Sequence, residues 1–324
     1  MSRILTTAWA LATVVACSLV PVVACATEST DSQARTRQQE AALRLLRGAV
    51  EMHFHVDPPT QISPGGNLDN LRTARSLGVR AVVLKSHGES SAGVASLLGK
   101  DMPDMRIIGG IVLNREVGGI NAVAAERLAN MKGRPGRVVW LPTKDSVATL
   151  KRNPSKPVVP LSKDGQLLPE VKQLIALIGK HDLVLATGHS AAEDALLVFK
   201  EGRAQGLKRM IATHPMDNVG KMTMEQMQQA VKLGAVLELD FRHMVEEGGI
   251  DVIKTVGAEH CFISEFWTYG LPLESESPYL PIEYGGLERV GRFIEQMHAN
   301  GITDQQLDTM IKINPARLLG LDAG

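Results

Sequence analysis

Several things are scarce in this 324-residue sequence, and each scarcity excludes something. Neither sign of charge is in surplus, because 35 Lys+Arg meet 35 Asp+Glu. A nucleic-acid binder normally carries a basic excess or stripe, so that class is excluded. Aromatic residues make up only 4% of the chain, so the core has to be built from Leu, Val, Ile, Ala and Met. A disordered chain is excluded as well, since 44% of residues are hydrophobic and 22% charged. Of the three cysteines, only Cys261 lies in the body of the chain, so no disulfide forms within it. Cys261 sits in a strand-like run, His260-Cys261-Phe262-Ile263, and reads as a small buried hydrophobe. There is no Rossmann glycine fingerprint, no phosphate loop and no Gly-x-Ser-x-Gly elbow.

What is present begins with a leader. Arg3 is the only charge before Glu28, and residues 4–24 are mostly apolar and end in small side chains. That layout is a secretory signal, expected over residues 1–25. Two cleavage readings stand side by side. Ala24-Cys25-Ala26 suits ordinary signal peptidase, whereas Val22-Val23-Ala24-Cys25 has the form of a bacterial lipobox with Cys25 lipidated. Either one places the chain outside the cytoplasm, in the periplasm or as a lipoprotein held to the membrane at Cys25. Residues 26–48 are expected as a polar tether (27–40) leading into a first helix, and 49–324 as the folded body.

Within that body, short apolar runs alternate with amphipathic stretches. Strands are expected at 49–55, 80–85, 106–113, 137–141, 183–187, 209–213, 235–239 and 261–264, each bounded by Gly, Asp or other polar residues. Helical spacing falls between them, at 67–77, 90–99, 120–131, 168–180, 190–205, 223–233, 245–256 and 285–299. Gly78 and Gly234 follow helices at positions that want a left-handed residue. Eight β-α alternations predict an α/β protein, a single-domain (β/α)8 TIM barrel. Two breaks follow strands and so belong to the face where such barrels keep their sites. Residues 143–167 are too polar and proline-rich for a helix, and 267–284 concentrate Trp267, Tyr269, Tyr279 and Tyr284 as a lid or substrate wall.

Position makes the histidines informative. Nine occur, and five of them fall at strand ends: His53, His55, His87, His189 and His214. In a parallel barrel these ends converge on one rim. His53 and His55 are two apart, so their rings point the same way. Imidazoles gathered with a carboxylate suit Zn²⁺ or a similar divalent ion.

With Met52-His53-Phe54-His55, Thr187-Gly188-His189-Ser190, Thr213-His214-Pro215 and the ending Asn314-Pro315-Ala316-Arg317-Leu318-Leu319-Gly320-Leu321, the chain resembles the amidohydrolase superfamily over residues 49–321. The resemblance implies a metal-dependent hydrolase holding one or two ions, with His53, His55, His189 and His214 as ligands or close neighbours. It also shows two departures. The strand-eight Asp that usually serves as ligand and base is replaced by Glu265, one methylene longer. The carboxylated Lys that some members carry on strand four has no counterpart in Val138-Val139-Trp140-Leu141, and Lys144 lies beyond it.

Lys85 ends strand two instead, and three readings compete for it: a carboxylated metal bridge, a clamp for substrate anions, or an ion-pair partner of Glu51 or Glu265. His87, Asn114 and Arg115 are candidate substrate groups; Thr143, Lys144, Asp57, Asp240 and Arg242 are weaker rim residues. Gly109-Gly110 reads as a place of close backbone approach. The expected function is an exported hydrolase that uses metal-activated water on a small molecule, with Glu265 as general base. By family analogy the bond is an amide, cyclic amide or lactone. The alternatives are a phosphoesterase and a lipoprotein that binds metal or ligand on a barrel without catalysis. Oligomeric state is not legible.

Overall fold

The computed structural model describes residues 21–56, 67–151, 156–241, 244, 248–265 and 286–321. The chain divides into two units, Met1–Arg37 and Gln38–Gly324. Over its described part the first unit is helical, within helix Pro21–Leu46. Residues 27–40, expected as a tether, are therefore helical; their Gln, Glu, Arg and Ala content favours a helix over an irregular linker. Among the described residues no helix is long and apolar enough to cross a membrane, and residues 1–20 of the leader lie outside them.

The second unit is the barrel. Its strands are β1 (Val50–His55), β2 (Ala81–Lys85), β3 (Arg106–Val112), β4 (Gly136–Trp140), β5 (Val184–Ala186), β6 (Met210–Ala212), β7 (Ala235–Asp240) and β8 (Cys261–Ser264). They form one parallel sheet in sequential order, β1 through β8. All eight expected strands are present, with every end within one residue of its expected position. Helices fill the intervals, among them Asn67–Ser76, Ala92–Asp101, Pro169–Lys180 and Ala192–Ala204. Gly78 and Gly234 take the left-handed conformation, with φ of 79° and 97°. The seam between β8 and β1 is bridged by a side chain: the Glu51 carboxylate accepts from the His53 N–H at 2.9 Å and the Glu265 N–H at 3.1 Å.

Alternation along the strands builds two apolar layers. Val83, Ile108, Val138, Val184, Ile211 and Phe262 pack inside the barrel. Leu84, Val139, Leu185, Leu237 and Ile263 turn outward to the helices. The last helix, Asn314–Leu319, adds Ala316, Leu318 and Leu319 to the inner cluster. Aromatic scarcity is met by one large inward side chain, Trp140, which is buried because β3 opposite it carries glycine. A Cβ on Gly110 would lie 2.2 Å from the Trp140 ring, and one on Gly109 would lie 2.5 Å from the Ala92 backbone. Gly110→Ala should therefore lower stability by about 1–3 kcal/mol through overpacking, read as a fall in melting temperature. A variant melting with the wild type would show that Trp140 has room to yield.

The proline-rich break at 143–167 is more ordered than expected. Ser146 caps a single helical turn, Val147–Leu150, accepting from the Thr149 N–H at 3.0 Å. A hairpin pairs Ser162–Lys163 with Gln166–Leu167. The aromatic segment 267–284, together with Asp57, Arg242 and His243, lies outside the described residues.

Candidate metal centre

The five histidines meet. Ring centroids run His214–His53 4.6 Å, His53–His55 4.9 Å, His55–His87 5.1 Å, His87–His189 6.2 Å and His189–His214 6.4 Å, a closed circuit at the C-terminal rim. A register shift in β1 between Glu51 and Phe54 helps set its two histidines inward while Phe54 turns to the helices.

Glu265 stands among three of these rings. Its Oε1 lies 3.3 Å from His214 Nε2, 3.5 Å from His53 Nε2 and 3.9 Å from His55 Nε2. Glu265 has φ 62° and His214 φ 45°, left-handed conformations rare for such residues. Each costs roughly 1–3 kcal/mol, the kind of strain that persists where surrounding structure imposes it for a site.

Two buried positions show which ring nitrogens carry protons. His53 Nδ1 lies 2.6 Å from Glu238 Oε1, which also accepts from the Ser264 hydroxyl at 2.8 Å. A carboxylate only accepts, so the His53 proton is on Nδ1 and Nε2 keeps a lone pair. At His189 the partner is Thr149. Its hydroxyl donates to the Thr143 carbonyl at 2.8 Å and accepts from Ser146 Oγ at 2.9 Å. The lone pair that remains faces His189 Nδ1 at 3.3 Å, which again leaves Nε2 unprotonated toward the rim. Burial, reinforced by Lys85, holds both His53 and His189 well below the ordinary imidazole range, so both are neutral donors.

His214 differs. Burial opposes its charge, but the Glu265 and Glu238 carboxylates override that and raise it to about 9. Burial pushes Glu265 up, and the His214 charge reverses this and holds it below the usual range. Without metal the two form a buried ion pair. His214 contributes stability that is complete below pH about 6.5 and fades as pH climbs through about 9. Glu265 contributes above pH about 4.5 and loses its share as pH falls through its lowered value. The metal-free protein should therefore melt highest between about pH 4.5 and 6.5 with respect to this pair and lower toward pH 9. Thermal melts across that range check it, and a rise in melting temperature toward pH 9 would contradict it.

The donor set fits a divalent cation. His53, His55 and Glu265 each offer an atom within 4.8 Å of the others, as do His53, His214 and Glu238. Among the described residues, His214 Nδ1 is buried without a hydrogen-bond partner. Glu238 was not among the expected site residues. Its signal lay in Leu237-Glu238-Leu239-Asp240, where two acids two apart in an apolar strand share its inward face with Val236. An outer carboxylate that orients a ligand histidine typically contributes 10–100-fold in metal affinity. Glu238→Gln should lose about that much in a chelator competition. The amide keeps an oxygen to accept from His53 Nδ1 and Ser264 Oγ, so the fold should stay intact. Unchanged affinity would remove Glu238 from this role.

Lys85 is completely buried, with Nζ 2.7 Å from His53 Nε2 and 5.8 Å from the Trp140 ring centroid. Trp140 occupies the inward end of β4, and Lys144 is half exposed in a 2.7 Å pair with Glu116, away from the rings. Two expectations need correction. Asn114 donates to the His87 carbonyl and Thr143 Oγ1 and accepts from the Thr143 and Asp145 N–H groups. Its hydrogen-bonding capacity is spent tying three loops together, so it is a brace and not a substrate group. Arg115 has an exposed side chain in the 3-10 turn Arg115–Val117 and is not brought to the histidines. His87 does reach the circuit, with Nδ1 2.7 Å from Thr143 Oγ1. A cavity of about 570 Å³, lined by Leu150, Lys151, Val158, Ala192, Asn218 and Lys221 among others, has none of the five histidines in its wall.

Comparison with solved structures agrees with this architecture. An organophosphorus hydrolase from Deinococcus radiodurans aligns with TM-score 0.56 and 15% identity, over 86% of this chain and 94% of its own. A mutant PTE-like lactonase from the same organism aligns at 0.55 and 16%, over 86% and 97%. An amidohydrolase from Pseudomonas aeruginosa aligns at 0.55 and 11%, over 86% and 98%. At such identities the likeness is one of fold. No curated protein matches the chain. Residues 48–238, from the start of β1 into β7, match a family of unknown function, DUF6282, and the chain belongs to that family.

Proposed function

We propose that this protein is an exported metal-dependent hydrolase that uses water to open an amide, cyclic amide or lactone bond in a small molecule. The observation that carries the reading is the convergence of His53, His55 and His214 Nε2 on Glu265 Oε1 at the barrel rim. The barrel fold shared with a lactonase and an amidohydrolase supports it.

His53, His55, His214 and Glu265 would hold the ion, with His189 on the circuit's far side and Lys85 beneath. Nitrogen and carboxylate donors of this kind suit zinc. When bound, a divalent ion would lower the pKa of water toward 7 and polarise the scissile carbonyl or phosphoryl group. Glu265, kept ionised, takes a proton from the attacking water and returns it to the leaving group. His87 and Lys85 are the nearest groups able to steady developing negative charge. The leader supports export, with Cys25 as the lipid-anchor position in the lipobox reading.

Elemental analysis of purified protein, followed by turnover on amides, lactones and phosphotriesters, tests the proposal. Bound divalent metal with turnover on one class is expected. Metal without turnover across the panel would replace it with a metal- or ligand-binding protein on the same barrel.

A further inference from the structure

The opposite mouth of the barrel carries a concentration of charge that the hydrolase reading does not use. Arg106 opens β3, Arg137 lies at the start of β4 and Arg209 immediately precedes β6. In a parallel barrel these are all N-terminal strand ends, on the face away from the histidines. A cavity of about 310 Å³ opens there, lined by Arg106, Arg134 and Arg137 together with Leu319, Gly320 and Leu321 after the last helix.

Among the described residues, the ion pair that these four guanidiniums make is that of Arg209 with Asp182. Arg137 Nη2 caps the last helix through the Leu319 carbonyl at 2.7 Å, and among the described residues its buried Nε has no partner. Arg134 reaches only a carbonyl, that of His181, at 3.0 Å. Arg209 pairs with Asp182 at 2.9 Å. Gly320 has φ 61°, and a Cβ there would lie 2.8 Å from Arg209 Nη2 and 2.9 Å from Arg137 Nη2. Two guanidiniums thus crowd one glycine that leaves them room. Burial and the like charges of Arg134, Arg209 and Arg106 all pull Arg137 below the usual arginine range, with Asp182 as the one opposing charge among its main influences. Capping a helix needs a single donor. Gathering further guanidiniums around it is unfavourable unless an anion offsets their repulsion.

We propose that the N-terminal mouth of the barrel binds a phosphate-class oxyanion, held by the guanidiniums of Arg106, Arg134 and Arg137 that line its cavity. A planar fork of N–H donors matches phosphate oxygens, and charge-assisted bonds of this type are the strong ones. A free phosphorylated small molecule and a phospholipid headgroup present the same chemistry.

Calorimetric titration of the full chain with inorganic phosphate is the test. The wild type should take up phosphate at one site, and the double variant R106Q/R134Q should bind about tenfold more weakly or worse. Both residues are exposed, so its melting temperature should hold. If that variant does not fold, Arg137→Lys, which keeps the charge and loses the planar fork of donors, should show the same loss. His214→Ala, altered at the other face, should bind phosphate as the wild type does. No uptake by the wild type would overturn the site, and so would uptake lost in His214→Ala but kept in the arginine variant. Vesicles of phosphatidylglycerol and of phosphatidylcholine separate the sources. Retention on the former that depends on Arg106 assigns a headgroup, and phosphate binding without such retention assigns a soluble ligand.

Discussion

Replacing His214 by alanine should strip the protein of its metal and lower turnover roughly 10³-fold or more, the scale on which activated water and a positioned base act. His214 is the ligand candidate whose loss has the widest reach. Its Nε2 is 3.3 Å from Glu265 Oε1, and its charge is the main influence that keeps Glu265 ionised despite burial. Removing the ring therefore deletes a donor and shifts Glu265 toward its neutral form, so two functions fail together. The backbone adds a second readout. With φ 45° at this position, His214→Gly should be about 1 kcal/mol more stable than His214→Ala, because glycine adopts that conformation without a Cβ penalty. Metal content by elemental analysis, turnover and paired thermal melts measure all of it. An alanine variant with full metal and full turnover would sink the assignment.

Much of this architecture can be read from residue order, and the reasons are physical. Strands buried on both faces are short runs of Val, Ile and Leu, and β2, Ala81-Val82-Val83-Leu84-Lys85, stands out against any helical period. His53 and His55 share a face because side chains alternate along a strand, and the other histidines follow strands that end on the same rim. The parts that escape depend on contacts across the fold. Glu238 is significant because β7 and β8 pair in a register that sets Ser264 Oγ beside its carboxylate, opposite His53. Thr149 orients His189 through a single helical turn inside a segment whose prolines argue against any helix. Asn114 has the chemistry of a substrate group, and only its saturated bonds identify it as a brace. The arginines at strand starts look like ordinary surface charge until Gly320 brings two of them together.

Glu265→Gln should retain most of the bound metal and lose about 10²–10⁴-fold in turnover, the range for removing a general base. The amide keeps an oxygen at the carboxylate's place, and the left-handed backbone at φ 62° that delivers it is unchanged. What disappears is the ability to take a proton. The same change removes the charge that contributes most to raising His214 to about 9, so the metal-free variant should lose the stability decline toward that pH expected of the parent. Two observables thus separate a base from a purely structural carboxylate. A structural role alone would reduce metal content and turnover in step. A base lowers kcat at saturating metal while KM changes little, since proton transfer belongs to the transition state and not to substrate binding. Glu265→Asp is the informative companion, because it keeps the proton-accepting group but withdraws the carboxylate by roughly one bond length. If Asp supports turnover close to the parent and Gln does not, the proton-accepting group and its tolerance in reach are both established. Full activity in Gln would move the base elsewhere, with Asp240, buried at the end of β7, the next carboxylate to test.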